Sequence, residues 1–323
     1  MLAVRFARTG GPEVLEAQDM PRPEPGPDQV LVRNEAVGVN FIDTYHRGGL
    51  YPVELPSGLG SEGAGVVEAV GPRVQGFAPG DRVAYAVGPL GAYAEFHTVA
   101  ADRLLKLPDA ISTRQAAAIM LKGMTAEFLL RRCYPLQPGE ACLIWAASGG
   151  VGSILTQWAK AIGATVIACV GNDRKAAIAR RHGADHVILY RTEDVAARVR
   201  EITGGAGVRV SYDGVGKASF EPSLKSLGRR GMLVTFGNAS GPVPAIEPLV
   251  LSRAGSLFLT RPTLFDYIAT RAELEQSAAA LFEAVGSGKV RVEIGEEFAL
   301  KDARRAHERL QGGETTGSLL LIP

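Results

Sequence analysis

The run "CLIWA" (142–146), continued by "AASGGVGSILTQWAK" (146–160), decides how this chain is read. The first piece is short and apolar, the length of a buried strand. Gly149, Gly150 and Gly152 then stand at the head of a helix-forming segment. A strand, a tight glycine turn and a helix make a cradle for phosphate, because the new helix points its unpaired first-turn N–H groups at the ligand. "ASGGVG" (147–152) is G-x-G-x-x-G with alanine in first place. Gly149 lets the backbone approach a pyrophosphate, Gly150 and Val151 continue the turn, and Gly152 lets the helix pack tightly on the strand. No Lys-Ser or Lys-Thr follows, as a P-loop would need, so the pattern points to a dinucleotide. The same glycines also suit a tight turn with no ligand; the strand–turn–helix context favours binding.

Outward from the loop, apolar strands alternate with amphipathic helices. The strands are "CLIWA", "TVIACV" (165–170), "VRVSYD" (208–213), "MLVTFG" (232–237) and "SLFLT" (256–260). Between them lie "DRKAAIARRHG" (173–183), "TEDVAARVREI" (192–202) and "KASFEPSLKSL" (217–227). That alternation predicts a doubly wound parallel Rossmann sheet with helices on both faces, an α/β fold. The first third differs. "LAVRFA" (2–7), "QVLVRNEAVGV" (29–39), "GAGVVEAV" (63–70), "DRVAYAV" (81–87) and "AYAEFHTV" (92–99) are short strands between Gly and Pro, the texture of a mostly β, barrel-like domain. Ser112 and Gln115 form a capping-box pattern that opens helical sequence, which continues through "GMTAEFLLRRC" (123–133). Two further helices and the strand "GSLLLI" (317–322) close the chain. A cleft between the two domains, at the carboxyl ends of the strands, is the expected ligand site.

Composition narrows the partners. With 323 residues and 46% hydrophobic content, two domains are expected. A net charge of +1 argues against nucleic-acid or membrane attraction, and no apolar run reaches membrane-spanning length. Arg5 and Arg8 interrupt the first apolar stretch, so no signal-peptide layout is seen. Cys133, Cys142 and Cys169 are odd in number and lie in apolar contexts, which reads as buried free thiols in a reducing compartment. A cytoplasmic protein is expected.

Which dinucleotide is bound depends on the end of the second strand. An NAD site normally carries Asp or Glu there to accept from the ribose 2′-OH. Here "TVIACV" runs into Gly171 and Asn172, and no carboxylate stands at that point to repel a 2′-phosphate. Arg174 and Lys175 open the next helix, and Tyr190 can add a hydroxyl donor. Asp173 is acidic and close by; as the N-cap of that helix it is expected to turn away. Lys175 also fits an ordinary solvated helix charge, but the missing acid favours a 2′-phosphate role for it, and so NADPH.

These residues resemble the quinone oxidoreductase and zeta-crystallin branch of the medium-chain dehydrogenases/reductases. The resemblance is carried by "GEACLIWAASGGVGSILTQWAK" (139–160), "GVNFIDTYHRGGLYP" (38–52), "LPSGLGSEGAGVVEAVG" (55–71), "YDGVG" (212–216), "TFGNASG" (235–241), "LTRP" (259–262) and the closing "TTGSLLLIP". It implies a GroES-like catalytic domain of residues 1–122 and 262–323 around a Rossmann domain of residues 123–261. It also implies an NADPH-dependent reductase, a dimer or tetramer. By the same resemblance Thr125, Phe236, Gly237, Asn238 and Arg261 lie along the cofactor or cleft, although Arg261 also fits a surface arginine before a proline.

Zinc enzymes of this fold carry a Cys in the first strand-loop and a Gly-His-Glu further on. Asn40 and Ser61 stand at those positions, and the five histidines (His46, His97, His182, His186, His307) are scattered singly. A catalytic zinc needs three N, S or carboxylate ligands, so no metal is expected. A quinone is already electron-poor and spreads the negative charge formed on reduction, so orienting it in a water-poor cleft can be most of the catalysis. Asn40, Asp43, Tyr45 and Tyr51 are the candidates for the cleft floor. Asn40 can hydrogen-bond a quinone oxygen, while the tyrosines offer a hydroxyl and a flat apolar face. Packing at a barrel rim is the alternative for the tyrosines.

The leading expectation is therefore an NADPH:quinone reductase. An enone or alkenal (C=C) reductase and a non-enzymatic NADPH-binding protein are the alternatives; nothing basic and aromatic-rich supports RNA binding. "GSLFLTRP" (255–262) is expected at a sheet edge, where pairing with a second chain would build a homodimer.

Overall fold

The computed structural model describes all 323 residues, Met1–Pro323. They form two compact units: Met1–Met124 with Ile268–Gly286 and Val292–Pro323, and Thr125–Tyr267 with Ser287–Arg291.

In the second unit six parallel strands run in the order His186–Leu189, Thr165–Val170, Ala141–Trp145, Val208–Asp213, Leu227–Thr235, Phe258–Thr260. This is the doubly wound order, with the direction of winding reversed between Ala141–Trp145 and Val208–Asp213. At that reversal the connections leave on opposite faces and open a crevice at the strands' carboxyl ends. Strands Ala141–Trp145 and Thr165–Val170 are apolar almost throughout because both faces are covered; Leu143, Ile167, Ile188, Val208 and Leu233 share one core with Leu224 from a covering helix. Phe258–Thr260 is the edge strand, as its position in sequence suggests, and Phe258 is 56% exposed.

The first unit is built on a seven-stranded sheet. Its long strand Gln29–Val39 pairs with Gly63–Val70, Phe96–Ala100 and the C-terminal Ser318–Ile322. A three-stranded sheet of Glu16–Asp19, Leu2–Phe6 and Ser57–Gly58 lies beside it. Phe6, Val32, Leu59 and Tyr93 share a core with Phe298, Leu300, Leu319 and Leu321, so the last thirty residues complete a core begun by the first hundred. Truncating one such leucine to alanine costs about 2–5 kcal/mol.

Several local readings are sharpened. Ser112 and Gln115 do exchange both capping hydrogen bonds, at 3.0 and 3.2 Å. "NFIDTYHRGG", named above only for its polar candidates, is a helix, Phe41–Gly48, that ends on the left-handed Gly49. Strands Glu16–Asp19, Ser57–Gly58, Leu105–Lys106 and Ile294–Ala299 are additional to those expected. Cys142 and Cys169 are buried, but Cys133 is only half-buried; all three are free. No helix is long and apolar enough to cross a membrane.

Candidate active site

In the first unit, strand Gln29–Val39 delivers Asn40 to the start of helix Phe41–Gly48. The Asp43 carboxylate folds back and accepts from the Asn40 N–H (2.8 Å), satisfying a donor that the helix leaves unpaired. Asn40 Nδ2 donates to Glu62 Oε2 (2.8 Å), and that oxygen also accepts from Lys122 Nζ (3.0 Å). The other Glu62 oxygen accepts from the Leu121 N–H (2.7 Å). All four side chains are withdrawn from water: Asn40, Asp43, Glu62 and Lys122 are each at most 5% exposed. Gly38 makes this possible, since a Cβ there would lie 2.1 Å from Glu62 Oε2.

Tyr45 is buried and Tyr51 half-buried, with their rings edge to face at 5.3 Å. The Tyr51 N–H donates to the Tyr45 carbonyl (3.1 Å), so the two rings are fixed as a pair by backbone as well as packing. Asn40, Asp43, Tyr45 and Tyr51 thus cluster on and just beyond one helix. Burial pushes the Asp43 carboxyl up to about 7, against the pull of hydrogen bonds from Asn40 and Tyr93 and of the Lys122 charge.

In the second unit the glycine turn has the required shape. Ala146 takes a left-handed φ of 51°, a conformation uncommon outside glycine and found at tight functional turns. Helix Gly150–Ile162 starts from Gly149, which has no side chain to cap the first turn. The first-turn N–H groups of Gly150, Val151 and Gly152 therefore remain for a ligand. A Cβ on Gly152 would lie 2.2 Å from the Ala146 carbonyl, so only glycine allows this helix to sit on its turn.

Strand Thr165–Val170 ends at Gly171. One reading is corrected here. The N-cap of helix Asp173–Arg181 is Asn172, not Asp173: its Oδ1 accepts from the Lys175 N–H at 3.0 Å. An amide caps as well as a carboxylate without its charge, which leaves Asp173 exposed in the first turn. Tyr190 packs beside Trp145, with ring centres 5.7 Å apart, and its hydroxyl would lie 3.0 Å from a Cβ on Gly171. Arg191 Nε would lie 3.4 Å from the same point, a cation that sequence reasoning passed over because it looked like any charge after a strand.

Phe236, Gly237, Asn238 and Arg261 form a second group on the other side of the sheet's reversal point. Buried Asp213 accepts from the Val215 and Gly216 N–H groups and from the Ser219 and Ser223 hydroxyls, which shapes the "YDGVG" loop. Gly237 presses against it, for a Cβ there would meet the Gly214 carbonyl at 2.3 Å. The Phe236 N–H donates to the Asp213 carbonyl (2.8 Å). Arg261 donates to the Thr235 carbonyl (3.1 Å), and Asn238 Oδ1 accepts from Arg261 Nη2 (3.3 Å). Arg261 is exposed yet tied to this loop. Thr125 is buried on helix Thr113–Phe128, with no hydrogen bond to this group.

The chain is matched by two family models, the alcohol dehydrogenase GroES-like domain over residues 26–109 and the zinc-binding dehydrogenase over residues 150–284. It is 54% identical over 321 residues to a quinone oxidoreductase of Pseudomonas aeruginosa, covering 99% of both chains. The chain belongs to the quinone oxidoreductase branch of the medium-chain dehydrogenases/reductases. An Escherichia coli quinone oxidoreductase solved in complex with NADPH superimposes with a TM-score of 0.98 at 49% identity, covering 100% of both chains. A 2-haloacrylate reductase of Burkholderia is 42% identical, covering 100% of this chain and 99% of its own.

Family membership makes the chain an oxidoreductase of the NAD(P)-binding type, and the residues fit such a cofactor: uncapped N–H groups, glycines where a side chain would intrude, and no acid at Asn172. They do not fit the metal in one family model's description. Nowhere do three His, Cys, Asp or Glu side chains converge, and a buried ammonium already occupies Glu62 beside Asn40.

Proposed function

We propose that this chain is an NADPH-dependent, metal-independent quinone reductase. The observation that carries the reading is the Asn40–Glu62–Lys122 arrangement. Where zinc relatives place a Lewis acid, this chain places a neutral amide held by a buried ion pair. Such a site suits an acceptor that needs positioning more than polarisation, and a quinone is one. NADPH, when bound, supplies hydride. Asn40 is proposed to hydrogen-bond the acceptor oxygen, and the Tyr45–Tyr51 pair to present a flat face against its ring. Gly149–Gly152 would hold the pyrophosphate, Lys175 and Tyr190 the 2′-phosphate, and Phe236–Asn238 with Arg261 and Thr125 the rest of the cofactor. The supporting likenesses are the P. aeruginosa relative and the NADPH complex of the E. coli enzyme.

A second reading is favoured by one finding, the 2-haloacrylate reductase at 42% identity. Hydride addition to a conjugated C=C also leaves its charge on an oxygen next to the acceptor, and the same amide can meet it. NADPH oxidation followed optically against a panel of quinones, enones and 2-haloacrylate separates the two. Turnover of quinones supports the proposal; turnover of alkenes alone replaces it, and turnover of none favours a binding protein.

We further propose a homodimer formed by pairing of the Phe258–Thr260 edges, and a catalytic domain of residues 1–122 with 262–323. An uncovered apolar edge supports the first.

A further inference from the structure

Asp43 ends a buried chain of hydrogen bonds whose direction can be worked out atom by atom. Arg47 Nη1 lies 2.9 Å from His307 Nδ1. A guanidinium only donates, so Nδ1 accepts. Burial keeps His307 neutral at working pH, pushing it down to about 3, so its one proton is on Nε2. Nε2 lies 3.0 Å from the Tyr93 oxygen and donates to it. The Tyr93 hydrogen is then committed to Asp43 Oδ2, 2.8 Å away, where the Asn40 N–H also arrives. Every donor points one way, toward one carboxylate oxygen. The far end is anchored too, because Arg47 donates to Gln311 Oε1 (2.8 Å) and to the Gly10 carbonyl (3.1 Å). Arg47 and His307 are 2% and 0% exposed, a costly burial that packing alone does not explain.

We propose that Tyr93, His307 and Arg47 are positioning residues that hold Asp43 as a carboxylate and, through it, hold Asn40 in its working orientation, so that protonation of Asp43 weakens the site. The proposal rests on Asn40 meeting the acceptor, as argued above. A charged oxygen accepts from the Asn40 N–H about twice as strongly as a neutral one. The groups facing Asp43 leave it finely balanced. Lys122, from helix Thr113–Phe128, favours the carboxylate, whereas Glu62, ahead of strand Gly63–Val70, opposes it and takes Lys122 as its own partner. Arg47, on the same helix as Asp43, is engaged by His307, and Tyr93 contributes its hydrogen bond. With burial dominant, this carboxyl titrates about 7, where loss of a single donor changes its charge.

The test uses the full-length protein. Urea unfolding of wild type and Asp43→Asn from pH 5 to 9 reads the Asp43 titration without any turnover. The folded value is raised, so wild type should lose stability relative to Asp43→Asn as pH rises to about 7, then run level. Tyr93→Phe should move that midpoint up by about one unit, the size of one hydrogen bond. The acid limb of kcat/KM should follow, giving a roughly fivefold loss at pH 7 that disappears at pH 9. His307→Gln, whose amide can donate to Tyr93, should keep the wild-type limb, and His307→Phe should shift it. A flat difference between wild type and Asp43→Asn overturns the proposal. So does a midpoint that moves in Tyr93→Phe while the limb stays still; Asn40→Ala then tells whether the Asn40 reading falls as well, by retaining full activity, or survives, by losing it.

Discussion

Lys122 Nζ lies 3.0 Å from Glu62 Oε2, with the two side chains 6% and 0% exposed, and this ion pair braces the amide of Asn40. Removing one partner of such a pair leaves a charge buried without compensation, at a cost of about 3–5 kcal/mol. Glu62→Gln should therefore destabilise the protein by that amount in urea unfolding. Adding Lys122→Met should recover part of the loss. A single Glu62→Gln variant within 1 kcal/mol of wild type, on the order of a surface pair, would contradict the account.

Stability should fall on mild acidification. Burial pushes His307 down to about 3 and His97 down to about 4. Each contributes stability above the unfolded value of about 6.5 that is lost as pH falls toward its folded value. Asp43, raised to about 7, works the other way: its contribution is present below about pH 4 and lost as pH rises through 7. Between about pH 4.5 and 6 the two histidines outweigh the one carboxyl by one proton, so unfolding free energy should drop by about 1.4 kcal/mol per unit of pH from these groups. His97→Phe should remove that slope and Asp43→Asn should double it. Parallel slopes in all three proteins would contradict the assignment.

Activity should be indifferent to metal. By the family resemblance Asn40 and Ser61 stand where zinc enzymes of this fold carry ligands, and the neighbouring Glu62 carboxylate is paired with an ammonium. Purified protein should hold no stoichiometric zinc, and chelator should leave the rate intact. Loss on chelation that added zinc restores would reject metal independence.

Association should run through the strand Phe258–Thr260. Phe258 is 56% exposed on this edge, an unusual position for a large ring on a lone chain. Solution scattering at micromolar concentration should give a dimer, and Phe258→Lys should give a monomer. A monomeric wild type would count against the proposed pairing.

Much of this was legible in sequence because it is local. The strand–glycine–helix pattern at 142–160, the alternation after it and the Ser112 cap each involve residues within a few positions of one another. The helix Phe41–Gly48 was legible too, in Asn40 as N-cap, Asp43 three residues on and Gly49 at the end, but the same Asn and Asp also suit a polar site, so the capping pattern is not distinctive. The polar network was not legible. It joins Gly10, Arg47, Asp43, Glu62, Tyr93, Lys122 and His307, and only the tertiary fold brings residues as much as 264 positions apart into contact. The misplaced cap at Asp173 has a smaller cause: Asn and Asp cap equally well, so adjacent candidates cannot be ranked by type.

The central claim, a cofactor site built for NADPH, is tested most directly by kcat/KM for NADPH and NADH with one quinone, in wild type and in Lys175→Ala. Lys175 lies in the first turn of helix Asp173–Arg181, which follows Gly171, the glycine that Tyr190 and Arg191 approach. Losing one charge-assisted hydrogen bond costs about 1.5–3 kcal/mol, roughly tenfold or more. Wild type should prefer NADPH, and Lys175→Ala should lose about tenfold on NADPH while NADH, with no 2′-phosphate, stays nearly unchanged. Equal efficiency with both cofactors in wild type, or an equal loss on both in the variant, would contradict it.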